Sequence, residues 1–452
     1  MTHLLRIALG FVLCAAAGLG LLSGGGRVPR ISLETVARAG ALGIAVTSPA
    51  LVLLGLAGLP VTAVSIAAVA LVFASLSLRP GAGDECAPPS APTGRAERLS
   101  ALVPAGALLV FAGKIVAVPL WCWDHYVVWG MKSRALWTGG ILDLTLLQAR
   151  PFSMANADYP LGLPMAWRVL TLGAEPVALD FKICHVLLGI GVVLAVRQIV
   201  RESGALRIWA DAAASFVAVS PLFWDTESLG IAEMPLAWFA LTALGLALRL
   251  ARSEPGLGLA AGAALGFLPW VKKEGTSLAV LLLAAPVLLG STRGLPARLR
   301  RARPAAGIAA AIGIAAVLLE WRFLPRGLTS FFAGDWSARF AARMRHPIAV
   351  LAPAGSELLF PAWLGFWFFL AAGFALAFRR RRSEALAVFG VVLGQAALYL
   401  PVYFATYLDP AAHIRASLFR LLAALLPIGA VGIALAAGAP SPRGAPEDVS
   451  AS

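Results

Sequence analysis

Residues 99–134 read LSALVPAGALLVFAGKIVAVPLWCWDHYVVWGMKSR, a mostly apolar run that passes directly into charged and aromatic side chains. The run, residues 99–120, has the length of a membrane-crossing helix, which needs about 20 apolar residues. Trp123 and Asp124 open the polar cluster, and Lys132 lies near its end. Because charged side chains at membrane depth are rare and usually functional, this stretch predicts a transmembrane helix with a candidate site at its end.

The rest of the chain repeats this pattern. Of its 452 residues 60% are hydrophobic and 13% are charged, which is far from the composition of a soluble domain. Since a bilayer satisfies no peptide groups, the spans must be helical. We therefore predict an all-α, polytopic integral membrane protein of about thirteen transmembrane helices, with short interfacial helices in its outer loops. The predicted spans begin near Leu4, Val36, Val61, Ala101, Val177, Ile208, Ile231, Leu257, Thr276, Ala305, Glu357, Ala385 and Ala416.

The net charge of +14 is distributed in a way that argues against a nucleic-acid partner. Arginines cluster in alternate loops, as the positive-inside rule requires of cytoplasmic loops. The clusters lie in residues 27–38, 79–98, 197–207, 249–252, 293–303 and 379–382. This places the C-terminus inside and most acidic residues on the outer face. Membrane lipids are therefore the expected surroundings, and the outer face is where we expect the site.

Composition also divides the chain into four regions. Residues 1–78 form an N-terminal hydrophobic region of about three transmembrane helices. Residues 79–99 are rich in Pro, Gly, Ala and charge and are predicted to be a cytoplasmic linker. Residues 100–437 form the main transmembrane body, and residues 438–452 are predicted to be a disordered cytoplasmic tail.

Five polar motifs fall on the predicted outer face. They are Asp124 with Lys132, Asp158-Tyr159-Pro160, Glu233 before Met234-Pro235, Lys272-Lys273-Glu274, and His413 with Arg415, Ser417 and Arg420. The first four have a purely structural alternative. The aromatic residues around Asp124 are typical of an interfacial belt, and the prolines after Asp158 are typical of a turn. An acid such as Glu233 is favoured at a helix N-terminus, and the lysine cluster fits snorkelling side chains.

Arg420 is harder to explain by structure alone. It lies about one turn inside an otherwise apolar helix, where an unpaired guanidinium costs several kcal/mol. The planar fork of arginine matches the oxygens of a phosphate. Arg420 therefore indicates an anionic partner.

The order of these motifs resembles that of the bacterial membrane glycosyltransferases of the GT-C superfamily, and is similar to its family 39, protein mannosyltransferase-like group. The pattern is Trp-Asp-x4-Trp-x2-Lys, Asp-Tyr-Pro-Leu-x-Leu-Pro, an acid before Met-Pro-Leu, Lys-x-Glu-Gly, and His-x3-Ser-x2-Arg-Leu-Leu before a final span. Each motif is weak alone, whereas their order and common face are more specific. The resemblance covers residues 100–437 and leaves the first three spans aside.

The resemblance implies an enzyme that transfers a sugar, with inversion, from a polyprenyl-phosphate donor to a glycan, lipid or protein acceptor of the cell envelope. It also implies a place in the bacterial inner membrane, with the active site facing the periplasm or exterior. Asp124 matches the acid that follows the first span and acts on the acceptor hydroxyl. Glu233 matches a second catalytic acid. The implied substrate-binding residues are Lys132, Tyr159, Lys272, Lys273, Glu274, His413 and Arg420.

Two points of the resemblance stay open. Lys273 stands where that superfamily more often has an uncharged residue, which leaves open which of the two lysines meets the phosphate. Some members bind a divalent metal, and Asp124, His125 and Glu233 are candidate ligands. The spacing of these residues does not require a metal, so no cofactor is predicted.

Two other classes of protein would use the same charges. A transporter or flippase of a lipid-linked or anionic solute would bind through them, but it should also show related halves and broken helices near the midplane. The sequence has no convincing internal repeat. A scaffold subunit of an envelope complex would use the charges only to hold helices together.

Overall fold

The computed structural model describes residues 2–23, 29–78, 95–119, 122, 124–148, 159–252, 254, 256–289, 294–323 and 334–438. All regular structure within these ranges is helical, which confirms the all-α prediction for this part of the chain. Trp123 and Asp158 lie outside the described residues. So do the predicted linker up to residue 94 and the tail from residue 439.

The helices are numbered here in chain order. Those of the N-terminal half are α1 (Thr2–Leu22), α2 (Leu33–Leu56), α3 (Ala63–Ala74), α4 (Arg95–Ala117), a π-helical segment (Asp124–Gly130), α5 (Met131–Ala135), α6 (Gly162–Leu170), α7 (Ala178–Glu202), α8 (Arg207–Val219) and α9 (Pro221–Ser228). Those of the C-terminal half are α10 (Glu233–Ala251), α11 (Gly258–Val271), α12 (Gly275–Leu289), α13 (Leu295–Phe323), α14 (Trp336–Arg345), α15 (Ile348–Leu358), α16 (Phe366–Arg379), α17 (Ser383–Ala405), α18 (Pro410–Ala423) and α19 (Leu426–Ala437).

Several of these helices are suited to crossing a membrane. Within the described ranges, seven are long and apolar enough: α1, α2, α4, α7, α10, α13 and α17. Helices α18 and α19 meet at 50° and pass the same test as a pair. Five shorter apolar helices, α3, α11, α12, α15 and α16, accompany them. These helices support a polytopic membrane protein, while the number of thirteen spans stays a prediction.

The outer surfaces of the helices are apolar. Leu109 on α4 is 76% exposed, Trp321 on α13 is 64% exposed and Phe368 on α16 is 70% exposed. Such large side chains are costly to leave in water. Lipid tails are the natural surroundings for these helix faces.

Ion pairs join the loops that the arginine pattern assigned to the cytoplasm. Arg38 near the start of α2 pairs with Glu202 at the end of α7, with an N–O distance of 2.7 Å. Arg252, just after α10, pairs with Glu384 at the start of α17 at 2.6 Å and donates to the carbonyl of Glu202 at 2.8 Å. Four loops predicted to share one side thus meet at one end of the helices. That this end faces the cytoplasm stays a prediction.

The first three helices pack against the body of the protein. Helix α1 contacts α6 and α7, and α2 contacts α7 and α11. At the end opposite the arginine loops, Arg6 of α1 binds the buried Asp180 at the start of α7 with an N–O distance of 2.8 Å. The N-terminal region therefore takes part in the packing around α7, and its role in function is untested.

Small residues bring α11 close to α13. A Cβ atom on Gly262 would lie 2.6 Å from Cβ of Ile308, and one on Gly266 would lie 2.7 Å from Cβ of Ile312. The glycines of α11 therefore serve close helix packing, as small residues do between membrane helices. The contact fixes the end of α11, which leads directly into Lys272.

Replacing Gly262 with alanine is expected to lower the stability of the protein by about 1–3 kcal/mol, the usual effect of overpacking. Thermal unfolding of the purified protein in detergent measures this loss. Gly307→Ala on α13 is the matched control, because a Cβ atom there meets nothing within 4 Å. Equal unfolding midpoints for the two variants would contradict the packing role.

Candidate active site at the end opposite the arginine loops

A polar cavity lies where five distant segments of the chain meet. The cavity has a volume of about 270 Å³, part of which is open to solvent. The lining residues are Asp124, Val128, Trp129, Tyr159, Glu233, Lys272 and Arg420. The structure thus brings together five of the residues selected from the sequence.

One side of the cavity is formed by Asp124 and Arg420. Asp124 begins the π-helical segment that follows α4, and π-helical turns occur often at functional sites. Arg420 lies in the last turn of α18, before the 50° bend into α19, and not inside the final apolar helix as the sequence predicted. Its Nη1 atom donates to Oδ2 of Asp124 at 2.7 Å. The side chains are 25% and 31% exposed. Asp124 is therefore the anionic partner that Arg420 requires. Because both side chains are partly exposed, a ligand can reach this ion pair.

A second ion pair that lines the cavity is more deeply buried. Nζ of Lys272 donates to Oε1 of Glu233 at 3.0 Å, and Oε1 of Glu274 lies 3.7 Å from the same nitrogen. The Lys272 and Glu233 side chains are only 6% and 4% exposed. Burial by itself would lower the pKa of Lys272, but the two carboxylates outweigh burial and raise it. Lys272 therefore stays charged.

The chain supplies Lys272 from a sharp break between two helices. Lys272 is extended (φ −157°, ψ 150°) at the end of α11. A Cβ atom on Gly275, where α12 begins, would collide with the carbonyl oxygen of Leu268. Only glycine allows this close return of the backbone. Lys273 follows in the same break, and its Nζ lies 5.6 Å from the ring centroid of Tyr159.

Tyr159 forms an aromatic wall with Trp129. The two rings meet edge to face at 5.4 Å between centroids. Burial, followed by the charge of Glu274, raises the pKa of Tyr159 above its ordinary value. Its phenol is therefore neutral and able both to donate and to accept a hydrogen bond. Aromatic faces beside carboxylates suit a ligand with both C–H surfaces and hydroxyls.

Four of the selected residues are not among those that line the cavity: Lys132, Lys273, Glu274 and His413. Lys132 is fully buried and its Nζ donates to the backbone carbonyl of Tyr159 at 2.8 Å. It therefore holds the backbone of Tyr159 in place. His413 lies on α18, two turns before Arg420, with its ring 4.9 Å from that of Tyr403. Their predicted contact with substrate stays untested.

Sequence reasoning missed a buried pair behind the cavity. His185 Nδ1 and Glu227 Oε2 are 2.6 Å apart, and both side chains are 0% exposed. Neither His185 nor Glu227 belongs to the site residues that the sequence motifs select. His185 could have been found from the sequence, because it is an ionisable residue within the apolar helix α7.

The proposed metal ligands are not grouped around one point. His125 directs Nδ1 to the carbonyl oxygen of Gly230 at 3.1 Å. Within the described ranges, no group of three or more His, Cys, Asp or Glu side chains is placed to hold a metal ion. Independence from a metal nevertheless stays a prediction.

Comparison with known proteins gives this chain no relatives: no family model, no curated protein and no solved structure matches it. The function of the cavity therefore has to be argued from its own geometry and from the motif order.

Replacing Lys272 with methionine is expected to destabilise the protein by about 3–5 kcal/mol, because it leaves the buried Glu233 without its partner. Adding Glu233→Gln to this variant should restore much of the loss. The unfolding midpoints of the single and double variants measure both effects. In the control Lys114→Met the lost partner, Asp225, is 61% exposed, so a change of about 1 kcal/mol or less is expected.

Proposed function

We propose that the protein is a membrane glycosyltransferase that moves a sugar from a polyprenyl-phosphate donor to a hydroxyl of a cell-envelope acceptor, with a GT-C-like arrangement. The observation that carries the proposal is the pairing of two carboxylates with two cations around one cavity, Asp124 with Arg420 and Glu233 with Lys272. Carboxylates serve a hydroxyl nucleophile and sugar hydroxyls, and cations serve a phosphate leaving group.

The surroundings of the cavity favour a donor anchored in lipid. The cavity lies at the end of helices whose outer faces are apolar, such as α4 and α13. A donor with a polyprenyl chain would hold that chain against such faces and present its phosphate and sugar at the helix ends. The motif order of the sequence points to the same class of donor. The arginine pattern supports a periplasmic or exterior position for this end.

The transfer needs one bond made and one broken. The acceptor oxygen attacks the anomeric carbon of the sugar, and the bond from that carbon to the phosphate oxygen breaks. The electron pair of the broken bond leaves with the polyprenyl phosphate, whose charge Arg420 and Lys272 would stabilise. The proton of the acceptor hydroxyl passes to the carboxylate of Asp124. Attack from the side opposite the phosphate gives inversion at the anomeric carbon.

The ion pair of Arg420 with Asp124 suggests how the donor prepares the base. In the structure the guanidinium of Arg420 occupies the carboxylate of Asp124 through a hydrogen bond of 2.7 Å. The phosphate of a bound donor competes with Asp124 for the guanidinium of Arg420. Occupation of the donor site would thereby release Asp124 for the acceptor hydroxyl.

Asp124→Asn is expected to reduce transfer at least about 100-fold, as loss of a general base does, with the protein still folded and in the membrane. The assay follows a radiolabelled sugar from a polyprenyl-phosphate donor to acceptor in proteoliposomes. Asp225→Asn is the matched control, since Asp225 is an exposed acid beside Lys114 at the same end. It should keep wild-type transfer.

Three outcomes of this assay decide the proposal. Wild-type transfer by Asp124→Asn contradicts the role of Asp124. Movement of the intact donor across the bilayer without any transfer supports a transporter instead. Loss of assembly in Asp124→Asn, as measured by gel filtration, supports a structural role for the ion pair.

Arg420→Gln is expected to raise the KM for the donor by about tenfold or more, since a charge-assisted hydrogen bond to phosphate contributes about 1.5–3 kcal/mol. Inhibition by a short polyprenyl phosphate should weaken in parallel. Arg415→Gln, an exposed position on the same helix, is the control and should leave both quantities unchanged. An unchanged KM and unchanged inhibition in Arg420→Gln would argue against phosphate binding at Arg420.

A further inference from the structure

A buried polar network joins the chain segments that carry the two carboxylates of the cavity. Its members are His125, Gly230, Glu227 and His185. None of them lines the cavity. Two of them, however, are close in sequence to residues that do: His125 follows Asp124, and Gly230 precedes Glu233 by three residues.

His125 is the part of this network nearest to Asp124. Its side chain is 1% exposed, and it meets the rings of Phe181 and Trp167 edge to face at 4.9 Å and 5.6 Å between centroids. Burial lowers its pKa to about 3, so the imidazole is neutral at physiological pH. Its Nδ1 lies 3.1 Å from the carbonyl oxygen of Gly230, and only a protonated Nδ1 can donate this bond.

The backbone conformation of Gly230, and its lack of a side chain, allow that bond. Its φ of +70° lies in the left-handed region, which costs a glycine little. A Cβ atom at this position would lie 2.5 Å from Nδ1 of His125. The turn is also tied on its other side, because the N–H of Gly230 donates to the carbonyl oxygen of Glu227 at 3.0 Å.

Glu227 in turn anchors the turn to α7. Its carboxyl group is 2.6 Å from Nδ1 of His185, and neither side chain is exposed. The turn before α10 is therefore held by α7 through Glu227 and by the π-helical segment through His125. Movement of either segment would break a buried hydrogen bond, which is costly.

We propose that His125 is a positioning residue that fastens the segment carrying Asp124 to the turn that leads into Glu233, so that the two carboxylates of the cavity are held as one unit. Its effect on transfer rests on the glycosyltransferase function proposed above. Its effect on the position of the Asp124 segment does not, and the two effects are measured separately.

Cys122 is a natural reporter of that segment. It lies two residues before Asp124 and is partly buried, and burial raises the pKa of its thiol. Cys14 and Cys184 are fully buried. The experiment uses the full-length protein with Cys86 replaced by serine, and follows alkylation by a neutral maleimide. A Cys122→Ser variant identifies the labelled thiol.

His125→Leu removes the hydrogen bond but fits the apolar surroundings of the ring. We expect it to speed labelling of Cys122 by roughly fivefold, the ratio that corresponds to one buried hydrogen bond. His125→Asn should label nearly as slowly as wild type, because its amide nitrogen is as far from the backbone as Nδ1. Gly230→Ala tests the same contact from the other side and should behave like His125→Leu.

Labelling at the wild-type rate in both His125→Leu and Gly230→Ala would overturn the positioning role. So would faster labelling in His125→Asn equal to that in His125→Leu. Gel filtration and the unfolding midpoint establish that each variant is folded. If one variant is not, the other still decides the question.

The transfer assay separates this inference from the proposed function. With an active enzyme, His125→Leu should lower kcat while the KM for the donor stays the same, and His125→Asn should restore kcat. A general loss of structure would not give that split. If the wild-type protein transfers no sugar from any polyprenyl-phosphate donor, the proposed function fails, and the labelling result still decides whether His125 positions the segment.

Discussion

The cost of a buried charge governs the architecture around the cavity. Lys272 and Glu233 are nearly inaccessible to water, and either one alone would cost several kcal/mol in such surroundings. Their pairing requires that the break after α11 and the start of α10 meet at one point. The glycine contacts between α11 and α13 and the close backbone return at Gly275 make this meeting possible.

The shallower pair, Asp124 with Arg420, depends on the deeper one. Both Glu233 and Asp124 attract the guanidinium of Arg420, so the fixed Glu233 helps to hold Arg420 at the cavity. Arg420 then holds Asp124, whose segment is tied from behind by His125. The cavity thus combines a deep pair, Glu233 with Lys272, that water hardly reaches and a shallower pair, Asp124 with Arg420, that a ligand can separate.

Charge in an apolar context made much of this predictable from sequence. Asp124, Glu233, Lys272 and Arg420 were found because membrane helices rarely carry ionisable residues. The direction of Lys132 was not predictable. It follows a π-helical segment, in which the usual helical spacing of side chains does not hold, and its nitrogen points to a backbone carbonyl. The contact of His185 with Glu227 joins two helices far apart in sequence, and no local pattern encodes it.

The shortness of α11 has a consequence for the membrane itself. Its 14 residues extend about 21 Å at 1.5 Å per residue, whereas the hydrocarbon core of a bilayer is about 30 Å thick. Lys272 follows directly at its end, so a bilayer that α11 crosses would have to thin around this helix or let water and head groups reach inward. In such a bilayer, acyl-chain length would set how deeply the cavity lies below the head groups and would thereby control access to it.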